Sequence, residues 1–411
     1  MDLNCKFNKD GIAFSLGWLL FLILPSFLMV LKITSSFSLG LLLSSIIIMI
    51  MLFVFKFNYL MTLKINKIVL YLFVFLFYIV AQYLFNNLIF YNILSIDTSR
   101  FYYGIIGFLI VIFSCIYIAY YLLNVTDDLF DKTSKFIGFI LILNAIISLF
   151  KIDIFNTGLA KPTFFYQEPS HFALVAAPFI LYFTFTLKRK FCLLLLIFSA
   201  FWALYIQNAT MLFIVLMASW VSLRVNFFYL ILLLLSAVTL LIFSNPDGLA
   251  YFQERIILSS DSNNLSVLVL IQGWENALKT LQEFSIFGAG FQQFGVGTAL
   301  GSASDKINQL IGFGLNLYDG GSLAPKIIGE FGILGILVII YYCFIFISSV
   351  NKLKYLNKDS DKILIFSYCS IISVFVEIFI RGAGYFTPSL FMFLISLFYL
   401  KFFYLRIKFR S

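Results

Sequence analysis

Long apolar runs that return at short intervals constrain this chain more than any other feature. Membrane spans are expected at 11–31, 37–55, 68–85, 101–123, 136–151, 171–187, 191–206, 208–223, 225–243, 327–349, 363–380 and 385–403. A helix needs about 20 apolar residues to cross a hydrocarbon core ~30 Å thick. Backbone in lipid must satisfy its own hydrogen bonds, so only helices and closed barrels cross. The alternating ten-residue segments of a barrel are absent. With 62% hydrophobic and 11% charged residues, a soluble domain is excluded. The expected fold is an all-α polytopic membrane protein of about 12 transmembrane helices, with one large outer loop containing an amphipathic helix. The first run is longer than a signal core and lacks a small-residue cleavage site, so no cleavable signal peptide is expected.

Charge placement sets the expected orientation. With the N-terminus inside, inner segments carry 19 of the 28 Lys and Arg, and the longer outer segments carry the other 9. The positive-inside rule then puts both termini in the cytoplasm. The chain divides into 1–243, holding spans one to nine with outer segment 151–170; 244–326, the large loop; and 327–411, holding spans ten to twelve and a cytoplasmic tail. Runs 191–206 and 208–223 meet at Gln207-Asn208-Ala209-Thr210. Two hairpin helices fit there. One broken helix also fits, and would move everything upstream to the other side.

The net charge of +9 sits in short loops between spans. It reads as a topology signal and as anchoring beside anionic membrane lipid, and no nucleic-acid partner is expected. Cys5, Cys115, Cys192, Cys343 and Cys369 lie in apolar runs, at their edges or in the N-terminal tail. A disulfide framework or zinc site is not expected. No carboxylate cluster has metal-ligand spacing outside, so neither a catalytic metal nor a cofactor is expected. A P-loop, a dinucleotide fingerprint and a Gly-x-Ser-x-Gly elbow are missing.

Chemistry concentrates at Tyr166-Gln167-Glu168-Pro169-Ser170-His171, just before an apolar run. His171 is the chain's single histidine. Pro169 suits the first helical turn, which puts Glu168 at the N-cap, near the positive helix end. His171 lies three residues on, on the same side. Either residue can serve as a general base; a helix cap beside an interfacial histidine is the simpler reading. Lys326 with Glu330, and Glu377 with Arg381, are pairs four apart where late spans begin or end. Such charges face a cavity or form local ion pairs. Lys161, Arg100, Arg255 and Arg381 are the outer cations suited to a phosphate or pyrophosphate, with headgroup snorkelling as the alternative. In the large loop, Val267, Leu270, Ile271, Trp274, Leu278 and Leu281 fall on one helical face, and Gln272, Glu275, Asn276 and Lys279 on the other. The following stretch to Gly321 holds nine of the 23 glycines, which permits close backbone approach to a ligand, or simply mobility.

The architecture resembles the Wzy-type O-antigen polymerases and the related O-antigen ligases. Local matches are Gln167-Glu168-Pro169-Ser170-His171, Gly273-Trp274, Phe287-Gly288-Ala289-Gly290, Asp319-Gly320-Gly321-Ser322 and Gly329-Glu330-Phe331-Gly332-Ile333-Leu334-Gly335. The arginine that many members carry a few residues before the tryptophan is replaced here by the Leu270-Ile271-Gln272 region, and Arg255 is the nearest candidate.

The resemblance implies metal-independent glycosyl transfer at the periplasmic face of a bacterial inner membrane. Donor and acceptor would both be undecaprenyl-pyrophosphate-linked glycans, with a chain-length regulator as a further partner. A sugar hydroxyl of the acceptor attacks the donor's anomeric carbon, and undecaprenyl pyrophosphate leaves. Glu168 or His171 would be the base. Arg255, with Arg381 or Lys161, would hold the pyrophosphate. Asp319, Lys326, Glu330, Glu377 and Trp274 would contact glycan. The alternatives are an O-antigen ligase, which transfers the glycan to lipid A–core, and a flippase or transporter for the lipid-linked unit. The last is disfavoured by the lack of evident repeated halves.

Overall fold

A computed structural model describes residues 9–56, 66–90, 96–159, 161–223, 255, 258–284, 287–357 and 360–408. The described residues are all-helical apart from loops and one isolated bridge, Thr163 with Tyr166. The helices are α1 (Lys9–Val30), α2 (Phe37–Lys56), α3 (Asn66–Phe90), α4 (Thr98–Leu122), α5 (Asp127–Leu149), α6 (Pro169–Thr186), α7 (Arg189–Tyr205), α8 (Ala209–Leu223), α9 (Leu265–Phe284), α10 (Ser302–Ile311), α11 (Leu323–Tyr355), α12 (Lys362–Ser373), α13 (Phe375–Phe379) and α14 (Pro388–Lys408). A helix stands at every expected span except 225–243, which lies outside the described residues. Among the described residues, seven helical stretches are long and apolar enough to cross a membrane: Val69–Ile89, Thr98–Leu122, Asp127–Leu149, Pro169–Thr186, Leu323–Tyr355, Lys362–Phe379 and Pro388–Ile407. Phe14–Val30, Phe37–Met51 and Ala209–Ser222 are shorter apolar helices.

The helix α6 and the α12–α13 stretch form the centre of the bundle, with 78% and 83% of their apolar windows buried; α3 has 17% and lies at the edge. The core is aromatic. The Trp18 ring meets Phe366 at 5.3 Å, Phe130 at 6.0 Å and Phe179 at 6.3 Å between centroids. These edge-on contacts join α1, α5, α6 and α12 in one cluster.

Gln207-Asn208 is a true hairpin turn, and α7 and α8 are two helices packed on each other. Gln207 takes φ +58°, its N–H bonds Leu204 O at 3.2 Å, and Asn208 N–H bonds Ala203 O at 2.7 Å. That is a Schellman closure made with glutamine in the glycine position. Asn208 then caps α8, its Oδ1 accepting from Met211 N at 2.8 Å.

The amphipathic helix α9 exists, but its faces differ from expectation. Gln272, Gly273, Asn276, Ala277 and Thr280 are buried, whereas Leu278 is 59% exposed. The polar side chains turn inward because irregular backbone beneath them needs partners. Gln272 Nε2 donates to Leu315 O at 3.0 Å, and Asn276 Oδ1 accepts from Gly301 N at 2.7 Å. A Cβ on Gly273 would overlap the Gly320 carbonyl.

Two glycine motifs meet in the same way. At Gly332 (φ 59°, ψ −131°) α11 kinks, a conformation that only glycine takes readily. Gly329 O and Glu330 O accept from Ala289 N (2.8 Å) and Gly290 N (2.9 Å). Gln82 of α3 donates to both Phe287 O and Glu330 O. The glycines at 288–290 thus dock backbone on backbone, which is a structural use of the freedom expected for ligand approach.

Candidate functional site

The segment before α6 is built to hold Glu168 in place. Gln167 N donates to Ser26 Oγ of α1 at 3.0 Å, and Phe165 N to Asn144 Oδ1 of α5 at 3.1 Å. Thr163 Oγ1 closes a tight turn on Tyr166 O at 2.6 Å, and the Tyr166 ring is buried against Phe172. Glu168 is then the N-cap residue of α6 with Pro169 in the first turn.

A cavity of about 470 Å³ opens at this end of the bundle. Lys161, Glu168, Arg255 and Arg381 all line it, joined by the turn residues Gln207, Asn208 and Thr210. Four of the residues singled out from sequence, drawn from three separate segments, therefore share one hollow. Three contacts converge on Glu168 Oε2. Arg381 Nη2 lies at 3.0 Å, Ser170 Oγ donates at 2.9 Å, and His171 Nε2 stands at 3.9 Å. Burial pushes the Glu168 carboxyl up, but His171, Arg381 and the Ser170 hydroxyl outweigh it and hold it down at about 2. Lys161 Nζ donates to Gln207 O at 3.3 Å and to Gln207 Oε1 at 3.2 Å. Burial, then Arg255 and Lys151, bring its ammonium down to about 8. Arg255 Nη2 donates to Ser266 Oγ at 3.0 Å, at the start of α9.

His171 does not line the cavity. It is 7% exposed, sits edge-on to Phe37 at 4.5 Å, and its buried Nδ1 has no hydrogen-bond partner. Glu377 and Arg381 do not pair, because α13 ends at Phe379 and Arg381 turns to Glu168 instead. The buried Glu377 carboxylate accepts from Thr387 Oγ1 at 2.5 Å and from Ser389 Oγ, tying α13 to the start of α14.

A second polar cluster lies on the same loop. Lys326, 2% exposed, donates from Nζ to Tyr318 O at 2.8 Å and Asp319 Oδ1 at 3.4 Å, and stands 4.0 Å from Glu330 Oε1. Tyr385 donates to Glu330 Oε2 at 2.8 Å. Arg100 stacks 4.1 Å over Tyr318. Trp274 packs against the apolar cluster that holds Leu323, Ala324 and Ile339. The loop that gives Leu315 and Asn316 to the cavity thus gives Tyr318 and Asp319 to Lys326. Gly382 N, next to Arg381, donates to Gly321 O at 2.9 Å and links the two groups. Gln207, Asn208 and Thr210 were visible in sequence as a polar break between apolar runs; nothing there marked them as cavity wall.

Beneath the cavity, an apolar crevice runs along Phe172, Ala176, Phe179 and Phe183 of α6, bounded by Gly138 of α5, Trp202 of α7 and Met211 of α8. No group of three or more His, Cys, Asp or Glu that could hold a metal is present among the described residues.

Comparison with family models, curated proteins and solved structures finds no match to this chain. Fold and site define its class on their own: a membrane protein, all-helical in its described residues, with a cation-lined cavity at one end of its bundle.

Proposed function

We propose that this chain is a glycosyltransferase of the Wzy-type polymerase class, joining undecaprenyl-pyrophosphate-linked oligosaccharide units on the periplasmic face of a bacterial inner membrane. The observation that carries this reading is the meeting of Lys161, Arg255, Arg381 and Glu168 around one cavity of about 470 Å³. Three cations suit a leaving pyrophosphate, and one carboxylate suits the proton of an attacking hydroxyl. Glu168 is the base in this scheme because it lines the cavity; His171 buttresses it from behind at 3.9 Å. The acceptor hydroxyl gives its proton to Glu168, its oxygen bonds the anomeric carbon, and the bond to the pyrophosphate oxygen breaks with the charge received by the cations. Lys326, Asp319, Glu330, Glu377 and Trp274, assigned to glycan in sequence, stand outside the cavity lining, and here they shape the loop and the α13–α14 corner.

The reading includes twelve spans with both termini cytoplasmic. Trp220, near the end of α8, lies 5.7 Å under Lys354 at the opposite end of α11, whereas Arg255 lines the cavity. The span at 225–243 rests on the sequence alone. The test is incubation of purified protein with a lipid-linked repeat unit. A ladder of extended products is expected, lost in Glu168→Gln and Arg381→Gln. A single transfer onto lipid A–core and no ladder would favour the ligase; transport in liposomes without extension would favour the transporter.

A further inference from the structure

Cation and carboxylate in the cavity are already spent on each other. Arg381 Nη2 bonds Glu168 Oε2 at 3.0 Å, and Ser170 Oγ holds the same oxygen at 2.9 Å. Arg381 is 19% exposed and Glu168 44% exposed, so both reach the hollow, and their pair is open to competition from within it. The backbone on each side is fixed. Arg381 N bonds Val376 O and Gly382 N bonds Gly321 O, each at 2.9 Å, while Glu168 is the N-cap of α6. The two side chains can therefore part without moving a helix.

We propose that the Glu168 carboxylate is an internal stand-in for a phosphate anion: it holds Arg381 until the diphosphate of an incoming ligand takes the arginine and sets the carboxylate free. The inference rests on the reading of the cavity as a diphosphate site and adds an order of events to it. A guanidinium prefers a diphosphate, which offers more oxygens and more charge for its fork. Lys161 and Arg255 line the same cavity and would share that charge. The released carboxylate loses its nearest cation and becomes a stronger base only when a ligand is seated. Held as it is at about 2, it takes a proton poorly, so an empty site is a quiet site.

A carboxylate that competes with ligand makes an unusual forecast: deleting its charge tightens binding while abolishing turnover. The test is calorimetric titration of the full-length protein in lipid nanodiscs with inorganic pyrophosphate, and separately with farnesyl pyrophosphate, which distinguishes a free diphosphate from one borne on a lipid. Wild type is compared with Glu168→Gln, Arg381→Gln and the double variant. Glu168→Gln is expected to bind pyrophosphate roughly ten- to 150-fold more tightly, the range for losing one charge-assisted hydrogen bond to a competitor. In the Arg381→Gln background the same change is expected to give less than about a two-fold gain, because no arginine remains to release.

An equal gain in both backgrounds would mean that Glu168 acts only as a distant negative charge, and would overturn the latch. Unchanged or weaker binding by Glu168→Gln would do the same. Glu168→Asp, which withdraws the charge by one methylene and leaves it in place, is expected to fall between wild type and glutamine; it carries the test if the glutamine variant does not fold. Absence of binding by wild type would remove both the latch and the diphosphate site beneath it. A gain in binding without any product ladder would leave the latch standing and remove the polymerase reading alone.

Discussion

Lys161 shows how the cavity sets the charge of a single side chain. Its ammonium is brought down to about 8 by burial and by the cations Arg255 and Lys151. Below that pH it is charged and favours an anion; as pH rises through it, the charge is lost. An anion in the cavity favours the charged form, so binding near pH 8 takes up a proton. Pyrophosphate affinity is therefore expected to fall by up to about ten-fold between pH 7 and pH 9, since one group contributes at most a factor of ten per unit. In Lys161→Arg that contribution is expected to flatten, because a guanidinium stays charged throughout. An equally steep decline in the arginine variant would move the cause elsewhere. His171 gives the complementary test. It stands behind Glu168 and not on the cavity wall, so His171→Leu is expected to keep pyrophosphate affinity within about two-fold and to slow transfer less than Glu168→Gln does. Equal loss of transfer in the two variants would return the base role to the histidine. The sequence marked both residues as one motif but could not say which of them meets the hollow. That depends on Phe37 of α2 covering the imidazole, a contact between segments far apart in the chain.

Helices were legible from sequence wherever their burial followed from lipid. An apolar run in hydrocarbon must close its own hydrogen bonds, so its length alone locates it. The Gln207-Asn208 turn was left open because a glutamine at φ +58° carries no sequence signature, unlike the glycine usual there. The helix α9 was found but its orientation was not. Its periodicity put Val267, Leu270, Ile271, Trp274, Leu278 and Leu281 on one face and the polar residues on the other, whereas Gln272 and Asn276 are buried to serve loop carbonyls and amides, a demand set by other segments. Gly273 is where that packing is tightest. A methyl group there meets the Gly320 carbonyl, backbone that cannot rotate aside. Gly273→Ala is expected to destabilise the protein by about 1–3 kcal/mol and to lower the thermal midpoint in detergent, with reduced pyrophosphate binding because Leu315 and Asn316 lie on the same loop. A variant as stable as wild type would show that α9 floats on the loop. Asn208→Ala removes the cap of α8 and is expected to cost about 1 kcal/mol by the same measurement.

Across the whole molecule, the two ends of the bundle differ in kind. The cavity end gathers the start of α6, the α7–α8 turn, α9 and the α13–α14 corner around one hollow. The other end is closed by direct ties: Lys362 N to Asp127 Oδ1 at 3.1 Å, Arg406 Nη1 to Leu123 O at 2.8 Å, and the Tyr368 and Tyr404 hydroxyls at 2.5 Å with Lys352 over both rings. Among the described residues, the polar hollow suited to the proposed ligand lies at the cavity end. The sequence argument from Lys and Arg placement says that this end faces outward. Its consequence is direct. Single reporter cysteines at Thr157 and Ser302, at the cavity end, are expected to react with a membrane-impermeant maleimide in intact cells, and reporters at Lys354 and Asn357 only after the membrane is opened. The native Cys115, Cys192 and Cys369 are buried and Cys343 is half-buried, so Cys5 and Cys343 are replaced by serine before the reporters are introduced. The reverse pattern would turn the cavity to the cytoplasm, where a periplasmic polymer cannot be assembled, and the proposed reaction would have to be abandoned even with every contact in the cavity intact.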